Sequence, residues 1–346
     1  MKQSVECNGI LVVDKPGGIT SHDVVDRVRR LFKTKRVGHT GTLDPDATGV
    51  LVLCLGIATR LAEYLSSSRK HYQAEFIFGV CTDTMDASGA VLSEQDASGL
   101  TEQTLLDLLP LFRGKILQTP PMVSARHHEG RRLYELAREG VTVEREAREV
   151  TISELELTAF RPGPRAHAEL EITCSTGTYI RVLADDLGVS TGIGAHMKTL
   201  RRTWVGTDVE TAFTLGEAHS LESLETARDE GTLHATLVPL SDALRAMPRY
   251  TLREEGLLRL LHGQPVSIEE IARECGRVRV RSGCCLPPPS DLHFGIVPDT
   301  DGTKTFGASP PPLAELAAIL DEQGEVCAVV RRGSDTLTPV KVLKHQ

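Results

Sequence analysis

The sequence predicts an α+β fold with a small β-rich domain at its C-terminal end. Strand-like and helix-like stretches intermix without the strict β–α alternation of a doubly wound parallel sheet. Near Pro248 the character changes, and short β-type runs such as RVRVRSG and VCAVVRRG follow. At 346 residues, the chain is also longer than one core usually serves, so about two domains are expected. We place them at residues 1–247 and 248–346. Within the second, Pro- and Gly-rich residues from about 284 to 313 read as a loop insertion.

GILVVDKPGGIT opens with a short apolar strand and closes in a Pro-Gly-Gly turn. Ser21 is the expected N-cap of the next helix, with Asp23 in its first turn. Val24, Val25, Val28, Leu31 and Phe32 recur at helical spacing and form its buried stripe. The Gly-, Thr-, Asp- and Pro-rich start of VGHTGTLDPDATGVLVLCLG reads as a loop, and its VLVLCLG end as a buried strand. Residues 58–66 read as a helix. YQAEFIFGV is a strand with Tyr72, Ala74, Phe76 and Phe78 on one face.

TEQTLLDLLPLF follows an N-capping Thr101 as a helix. Residues 114–150 are rich in Arg, Glu and His. They show little strand pattern and read as an exposed insertion with a helix near Leu133–Arg138. HAELEITCS alternates as a strand. YIRVLADDLG then forms a helix whose expected end is Gly188.

Composition narrows the class. Apolar residues make up 40% and charged residues 25%, as in an ordinary globular protein. No apolar stretch approaches the roughly 20 residues needed to span a bilayer. The start, MKQSVECNGI, lacks the basic and apolar regions of a secretory signal. A cytoplasmic location without membrane attachment is expected. The eight cysteines form no CxxC pair, and no HExxH is present, so no metal site is expected. The scattered thiols read as reduced, and the vicinal Cys284–Cys285 pair as incidental.

Net charge is −8, which on its own argues against nucleic acid. A phosphate backbone responds to the local field, however. RVRRLFKTKR, residues 27–36, carries six cations and no acid, and Lys198, Arg201 and Arg202 form a second cluster. Taken alone, each fits a solvated face; together they mark where an anion would dock.

The stretch with most chemical content is Gly38-His39-Thr40-Gly41-Thr42-Leu43-Asp44-Pro45-Asp46-Ala47-Thr48-Gly49. Pro45 disfavours helical geometry at Asp44, and the glycines let another backbone approach closely. A carboxylate fixed in such a loop serves as nucleophile, metal ligand or general base; an Asx-turn is the plainer use. Asp44-Pro-Asp46-Ala-Thr48 also matches DxDx[TV], the nucleophile motif of Mg²⁺-dependent phosphohydrolases of the haloacid dehalogenase type. That motif needs an apolar strand running into its first Asp, and here the apolar run follows instead.

A longer set of motifs points elsewhere. GILVVDKPGGITSHDVV, GHTGTLDPDATGVL, RKHYQAEF and STGTYIRVLADDLG resemble those of the TruB family, the bacterial tRNA pseudouridine-55 synthases, in the same order and at similar spacing. LQTPPMVSARHHEGRRLYELAREG resembles that family's RNA-gripping insertion, and GAHMKTLRR a further active-site segment. The resemblance covers about residues 8–245. LLHGQPV and LTPVKVLK fit the family's PUA-like domain, and the Pro-rich stretch departs from it.

The resemblance implies a mixed-sheet pseudouridine synthase domain with an RNA-binding insertion. It implies isomerisation of uridine in the T-arm of tRNA, at position 55. That reaction moves the ribose from N1 to C5 of the same base with no redox change, so no cofactor is implied. Asp44 matches the family's catalytic aspartate. Attack at C6 of the uracil, at C1′ of the ribose, and action through C2′ all fit. Arg181 matches the arginine that pairs with it, and is expected to hold Asp44 ionised by a bidentate contact.

Tyr72 matches the active-site tyrosine that stacks on the base and relays the C5 proton. His39 matches the histidine that fills the space left by the extruded base. Tyr179 and Leu200 match residues lining the uracil pocket, and Lys15 is implied to support the site. Arg30, Lys35, Arg126, Arg132, Lys198 and Arg201 are candidate phosphate contacts.

A stand-alone monomer is expected, without guide RNA, since LYELAREG follows the bacterial pattern rather than that of guide-dependent, dyskerin-type synthases. The alternatives are an RNA-binding or tRNA-folding chaperone and the Mg²⁺ phosphohydrolase.

Overall fold

The computed structural model describes residues 7–66, 68–122, 141, 143–275 and 315–343, with the backbone alone of His127–His128 and Arg131–Arg132. Arg126, the Arg132 side chain, the helix expected near Leu133–Arg138, RVRVRSG, and the 284–313 stretch with Cys284 and Cys285 lie outside these residues. Two compact units are present, Met1–Ala243 and Leu244–Gln346.

The first unit runs β1 (Gly9–Lys15), α1 (Ser21–Leu31), β2 (Val37–His39), β3 (Thr48–Leu55), α2 (Ala62–Ser66), β4 (Arg69–Phe78), β5 (Val80–Thr82), β6 (Val91–Glu94), α3 (Glu102–Leu108) and β7 (Gly114–Gln118). It continues through the short pair β8 (His127–His128) and β9 (Arg131–Arg132), then β10 (Arg148–Arg161), β11 (Ala166–Cys174), α4 (Ile180–Thr191), β12 (Ala195–Gly206) and β13 (Phe213–Thr214).

One mixed sheet organises it. Strand order is β1-β3-β12-β4-β11-β10-β7, with β2 attached to β3 and β13 to β12. Most neighbours are antiparallel, but β12 runs parallel to β3, pairing Arg201 with Thr48 and Arg202 with Gly49. Gly114–Gln118, within the stretch read as an insertion, pairs with β10.

The period-two face of β4 is as the sequence implies: Tyr72, Ala74, Phe76 and Phe78 are all buried. They meet Val24, Val25 and Val28 of α1 and Leu183 and Leu187 of α4 in one core. Phe76 and Phe78 are fully enclosed, and burial of each contributes about 1.5–3 kcal/mol.

Four local expectations are corrected. The N-cap of α1 is Thr20, not Ser21. Thr20 accepts from the Asp23 backbone while Asp23 accepts from the Thr20 backbone, closing a capping box. Ser21 turns inward, where its Oγ accepts from Leu43 N at 2.8 Å and donates to Leu43 O at 3.0 Å. Residues 56–61 form a 3₁₀ turn that continues into α2, rather than one helix. The loop before VLVLCLG holds the short strand β2, which pairs with β3 from Val37↔Leu55 to His39↔Leu53.

Finally, α4 passes through Gly188 and ends at Gly192, which takes φ 75° as a left-handed cap. Gly188 is instead a contact point: a Cβ there would stand 2.1 Å from Ala195 N.

The second unit carries a six-stranded sheet of β14 (Arg249–Leu252), β15 (Val266–Ser267), β16 (Ile271–Cys275), β17 (Leu316–Leu320), β18 (Val326–Arg332) and β19 (Thr336–Val342). Its core joins Tyr250, Leu260, Ile319, Val330 and Leu337. LLHGQPV spans the end of a helix, Glu254–Leu261, and leads into β15; LTPVKV lies on β19. No helix among the described residues is long and apolar enough to cross a membrane.

Gly188 yields a test of sign. In an open helix interior, Gly→Ala stabilises by about 1 kcal/mol. Here Gly188→Ala drives a methyl into the backbone at Ala195 and is expected to lower the urea midpoint. A raised midpoint would contradict the close approach of α4 to β12.

Candidate active site

Asp44 sits on the loop between β2 and β3, which has no ladder to satisfy its backbone. Side chains from elsewhere do so. Ser21 takes both polar groups of Leu43. Arg202 donates from Nη2 to Gly41 O at 3.0 Å and from Nη1 to Thr42 O at 3.4 Å. Lys15, fully buried, donates to the carbonyls of Pro45 at 2.7 Å, Ala47 at 2.8 Å and Pro16 at 2.9 Å. Asp44 O closes a turn with Ala47 N at 3.1 Å. These bonds leave the Asp44 side chain aimed outward while its backbone is fixed on both sides.

The carboxylate lines a cavity of about 440 Å³, within the usual range for a ligand site. Four segments form the wall: the loop 44–47, Thr84 and the turn 86–88, Arg181 at the start of α4, and 197–200 on β12. Arg181 is 4% exposed, whereas Asp44 is 37% exposed to the opening. Arg181 Nη2 lies 3.4 Å from Asp44 Oδ1, and Nη1 lies 3.6 Å from Asp86 Oδ2. The expected bidentate contact is therefore replaced by a shared one: the guanidinium bridges two carboxylates.

This sharing changes the charge balance expected at Asp44. Crowding by protein atoms raises its carboxyl above the usual range. Arg181 pulls it down, Asp86 pushes it up, and Lys15 pulls it down. Dehydration wins because one guanidinium divided between two acids neutralises neither. Arg181 lowers the carboxyl as expected, and burial outweighs that pull. Lys15 itself is lowered to about 8 by burial, opposed by Asp46 and Asp44.

Tyr72 lies beneath this wall rather than on it. Burial pushes its phenol up, and the positive charge of the neighbouring Arg202 pulls it down. Tyr179 caps α4, and its ring centroid is 6.0 Å from Arg181 Cζ. Its N–H donates to Gln118 Oε1 at 2.8 Å, and its carbonyl accepts from Gln118 Nε2 at 3.0 Å. Leu200 and Lys198 line the cavity, and Lys198 Nζ reaches Glu75 Oε2 at 3.2 Å.

The remaining candidates stand apart. His39 is on β2, half-buried, and outside the cavity lining. Arg30 is exposed near the end of α1, and Lys35 is exposed in the turn after it. Arg201 forms a two-point ion pair with Asp14, at 2.8 and 3.1 Å. Arg202 is 1% exposed, so the Lys198–Arg201–Arg202 run is not a surface stripe.

Two residues were missed from sequence. Arg202 was read as surface charge, and Asp86 was not singled out. Asp86 Oδ1 accepts from Thr84 Oγ1 at 2.7 Å, Ser88 Oγ at 2.6 Å and Ser88 N at 3.0 Å, which leaves Oδ2 for Arg181. The signal was DTMDASG, an Asx-turn pattern that fixes a carboxylate as Asp44's own loop does.

The strand that a phosphohydrolase would run into its nucleophile is absent here: β3 begins at Thr48, after the motif. Among the described residues no three His, Cys, Asp or Glu side chains are grouped as metal ligands.

The sequence matches the family described as TruB family pseudouridylate synthase (N terminal domain) over residues 29–180. Residues 181–245 match the tRNA pseudouridylate synthase B C-terminal domain. A tRNA pseudouridine synthase B of Symbiobacterium thermophilum is 50% identical over 258 residues, 75% of this chain and 83% of the relative. One of Moorella thermoacetica is 42% identical over 342 residues, 97% and 99% of the two chains. Among solved structures, a chain of a Cbf5-Nop10-Gar1 complex superposes with TM-score 0.64 at 21% identity, over 97% of this chain and 85% of that one.

Lys15→Met keeps side-chain length but removes the donor to three carbonyls. Each buried acceptor left bare costs on the order of 1–3 kcal/mol, so a lower urea midpoint is expected. An unchanged midpoint would mean that water replaces the ammonium.

Proposed function

The chain belongs to the TruB pseudouridylate synthase family, and we propose on that premise that it is a stand-alone isomerase of the T-loop uridine at position 55, with Asp44 as nucleophile. The activity is conversion of uridine to pseudouridine in tRNA, the activity its relatives are named for. One observation carries the residue assignment. A carboxylate held from behind by buried donors faces a nucleotide-sized cavity, with a buried guanidinium 3.4 Å away.

In this reading the uridine leaves its stack and enters the cavity, at a cost of a few kcal/mol. Asp44 attacks as the ionised carboxylate. The N1–C1′ bond breaks, the uracil turns, and C5 bonds to C1′. C5 then loses its proton and N1 gains one, so the product is an isomer of the substrate. Arg181 keeps Asp44 aimed and charged, while Asp86 fixes Arg181 from its other side.

Tyr72 relays the C5 proton, releasing its own phenolic proton as it takes one up. Tyr179 and Leu200 hold the detached uracil, and His39 fills the gap in the RNA. Arg30, Lys35, Arg126, Arg132 and Lys198 meet phosphates. Arg201, held by Asp14, serves there only if RNA competes with that pair. A monomer in the cytoplasm, acting without guide RNA, suffices for this chemistry. The terminal unit adds RNA-binding surface of the PUA-like kind.

A tRNA transcript tritiated at uridine C5 tests the reading. Without added guide RNA, wild-type protein is expected to release tritium, and Asp44→Asn to release none while still binding tRNA. Release by Asp44→Asn would overturn the assignment; tRNA binding without release by wild type would favour the chaperone.

The pH profile gives a second test. The acid limb of kcat/KM follows ionisation of Asp44 and is expected above the usual carboxylate range, because burial favours the protonated form. Arg181→Met removes the lowering charge, so its limb moves to higher pH. Asp86→Asn removes a raising charge, so its limb moves to lower pH. Shifts in the opposite directions would refute the shared guanidinium.

A further inference from the structure

We propose that Glu75 stands in for an RNA phosphate: it holds Lys198 at the cavity wall and releases it when a phosphate of the incoming nucleotide arrives. This inference rests on the RNA-binding part of the reading above, and it names which cation near the cavity is exchangeable.

Lys198 is placed by an irregularity in β12. Met197 pairs with Phe76 and Thr199 with Glu75, so Lys198 is an extra residue in the ladder between β12 and β4. A bulge of this kind re-aims the side chain it carries. The backbone beside it is pinned to the turn that bears Asp86. Met197 N donates to Met85 O at 3.0 Å, and Ala87 N donates to Met197 O at 3.0 Å. The bulge is thereby held against the cavity, and Lys198 lines it.

Glu75 points to the face of β4 opposite Tyr72. Three side chains from three strands converge on it. Arg161 Nη2 lies 2.6 Å from Oε1 and His167 Nδ1 lies 2.8 Å from it. Lys198 Nζ is farther, 3.2 Å from Oε2 and 3.3 Å from Oε1. Charge-assisted bonds run about 2.7–2.9 Å, so the Lys198 contact is the loosest of the three.

Glu75 is 14% exposed and Lys198 41%. A largely buried carboxylate left without a partner would be costly. Departure of Lys198 does not leave it so, because Arg161 and His167 remain. Arg201 is the contrast. It grips Asp14 at 2.8 and 3.1 Å and reaches Thr48 Oγ1 at 3.3 Å, so drawing it away breaks all three contacts at once. Lys198 is the cation that can change partners, and Arg201 is a clasp between strands.

The test is a binding cycle in full-length protein. Glu75→Gln, Lys198→Met, their double and Glu169→Gln are each built into Asp44→Asn, so that bound tRNA stays unconverted. Lys198→Gln replaces the Met variant if that one does not fold, and thermal melts establish folding at the assay temperature. Filter binding of a tRNA transcript at 50 and 200 mM salt gives the affinities. Tritium release by the wild type reports the isomerase reading separately, so either can fail without the other.

Lys198→Met is expected to weaken binding, and its deficit to shrink about threefold between the two salt concentrations, the share of one phosphate contact. Glu75→Gln is expected to tighten binding by roughly 2–5-fold, the scale of one exposed ion pair. Without Lys198, Glu75→Gln is expected to change nothing. Glu169→Gln removes a carboxylate that meets Arg161 at 2.7 Å on the same face, and is expected to leave affinity near that of the parent. Weaker binding by Glu75→Gln would overturn the proposal, since Glu75 would then be orienting the lysine for RNA. So would tightening that persists without Lys198 or is matched by Glu169→Gln, which would make it an effect of overall charge. A deficit in Lys198→Met that ignores salt would also overturn it.

Discussion

The site depends on a loop whose backbone is held by side chains rather than by a ladder. Residues 41–47 link β2 to β3 with no strand partner of their own. Their carbonyls would be costly to leave bare in a packed interior. Lys15, Arg202 and Ser21 meet that need from three different elements. Each bond that satisfies the loop also fixes where the Asp44 carboxylate points. Stability and aim are one set of contacts here.

That solution places two cations under a carboxylate. Lys15 and Arg202 are enclosed, and neither faces an acid in direct contact; both spend their protons on carbonyl oxygens. The charge pairing that does exist is at Arg181, and it is divided between Asp44 and Asp86. A divided guanidinium holds position without fully neutralising either acid. This fits a nucleophile better than a bidentate pair would, since a carboxylate with both oxygens occupied attacks poorly. Lys198, which lines the same cavity, is partnered by Glu75, and Arg201 by Asp14, so an RNA phosphate must compete with existing ion pairs to recruit them.

Much of the fold was legible because it rests on local periodicity. The apolar stripe of α1, the alternating face of β4 and the buried run of β3 are dictated by spacing alone, and each lies where spacing puts it. Two of the errors fall where neighbouring residues compete for one role. Thr20 and Ser21 both cap helices; the one three residues before Asp23 closes the box, and the other is drawn to Leu43. Gly188 and Gly192 both end helices; Gly188 is needed for contact with β12, so the helix runs on to Gly192. At the site, Asp44, Tyr72 and Arg181 stood out through motifs, whereas Asp86 is visible only once β12 brings its turn to Arg181.

By itself the sequence determined the class and the order of the main elements, because these depend on residue type and short-range spacing. The tertiary structure decided which charges are available and what they do. Arg202 reads as a surface cation in sequence and is enclosed at the centre of the sheet. Asp44 reads as an acid kept ionised by its arginine, and is raised by burial against a shared partner. Burial and charge sharing depend on groups far apart along the chain: 137 positions separate Arg181 from Asp44, and 161 separate Arg202 from Gly41. No local pattern encodes those distances; the packing of β3, β12 and α4 sets them.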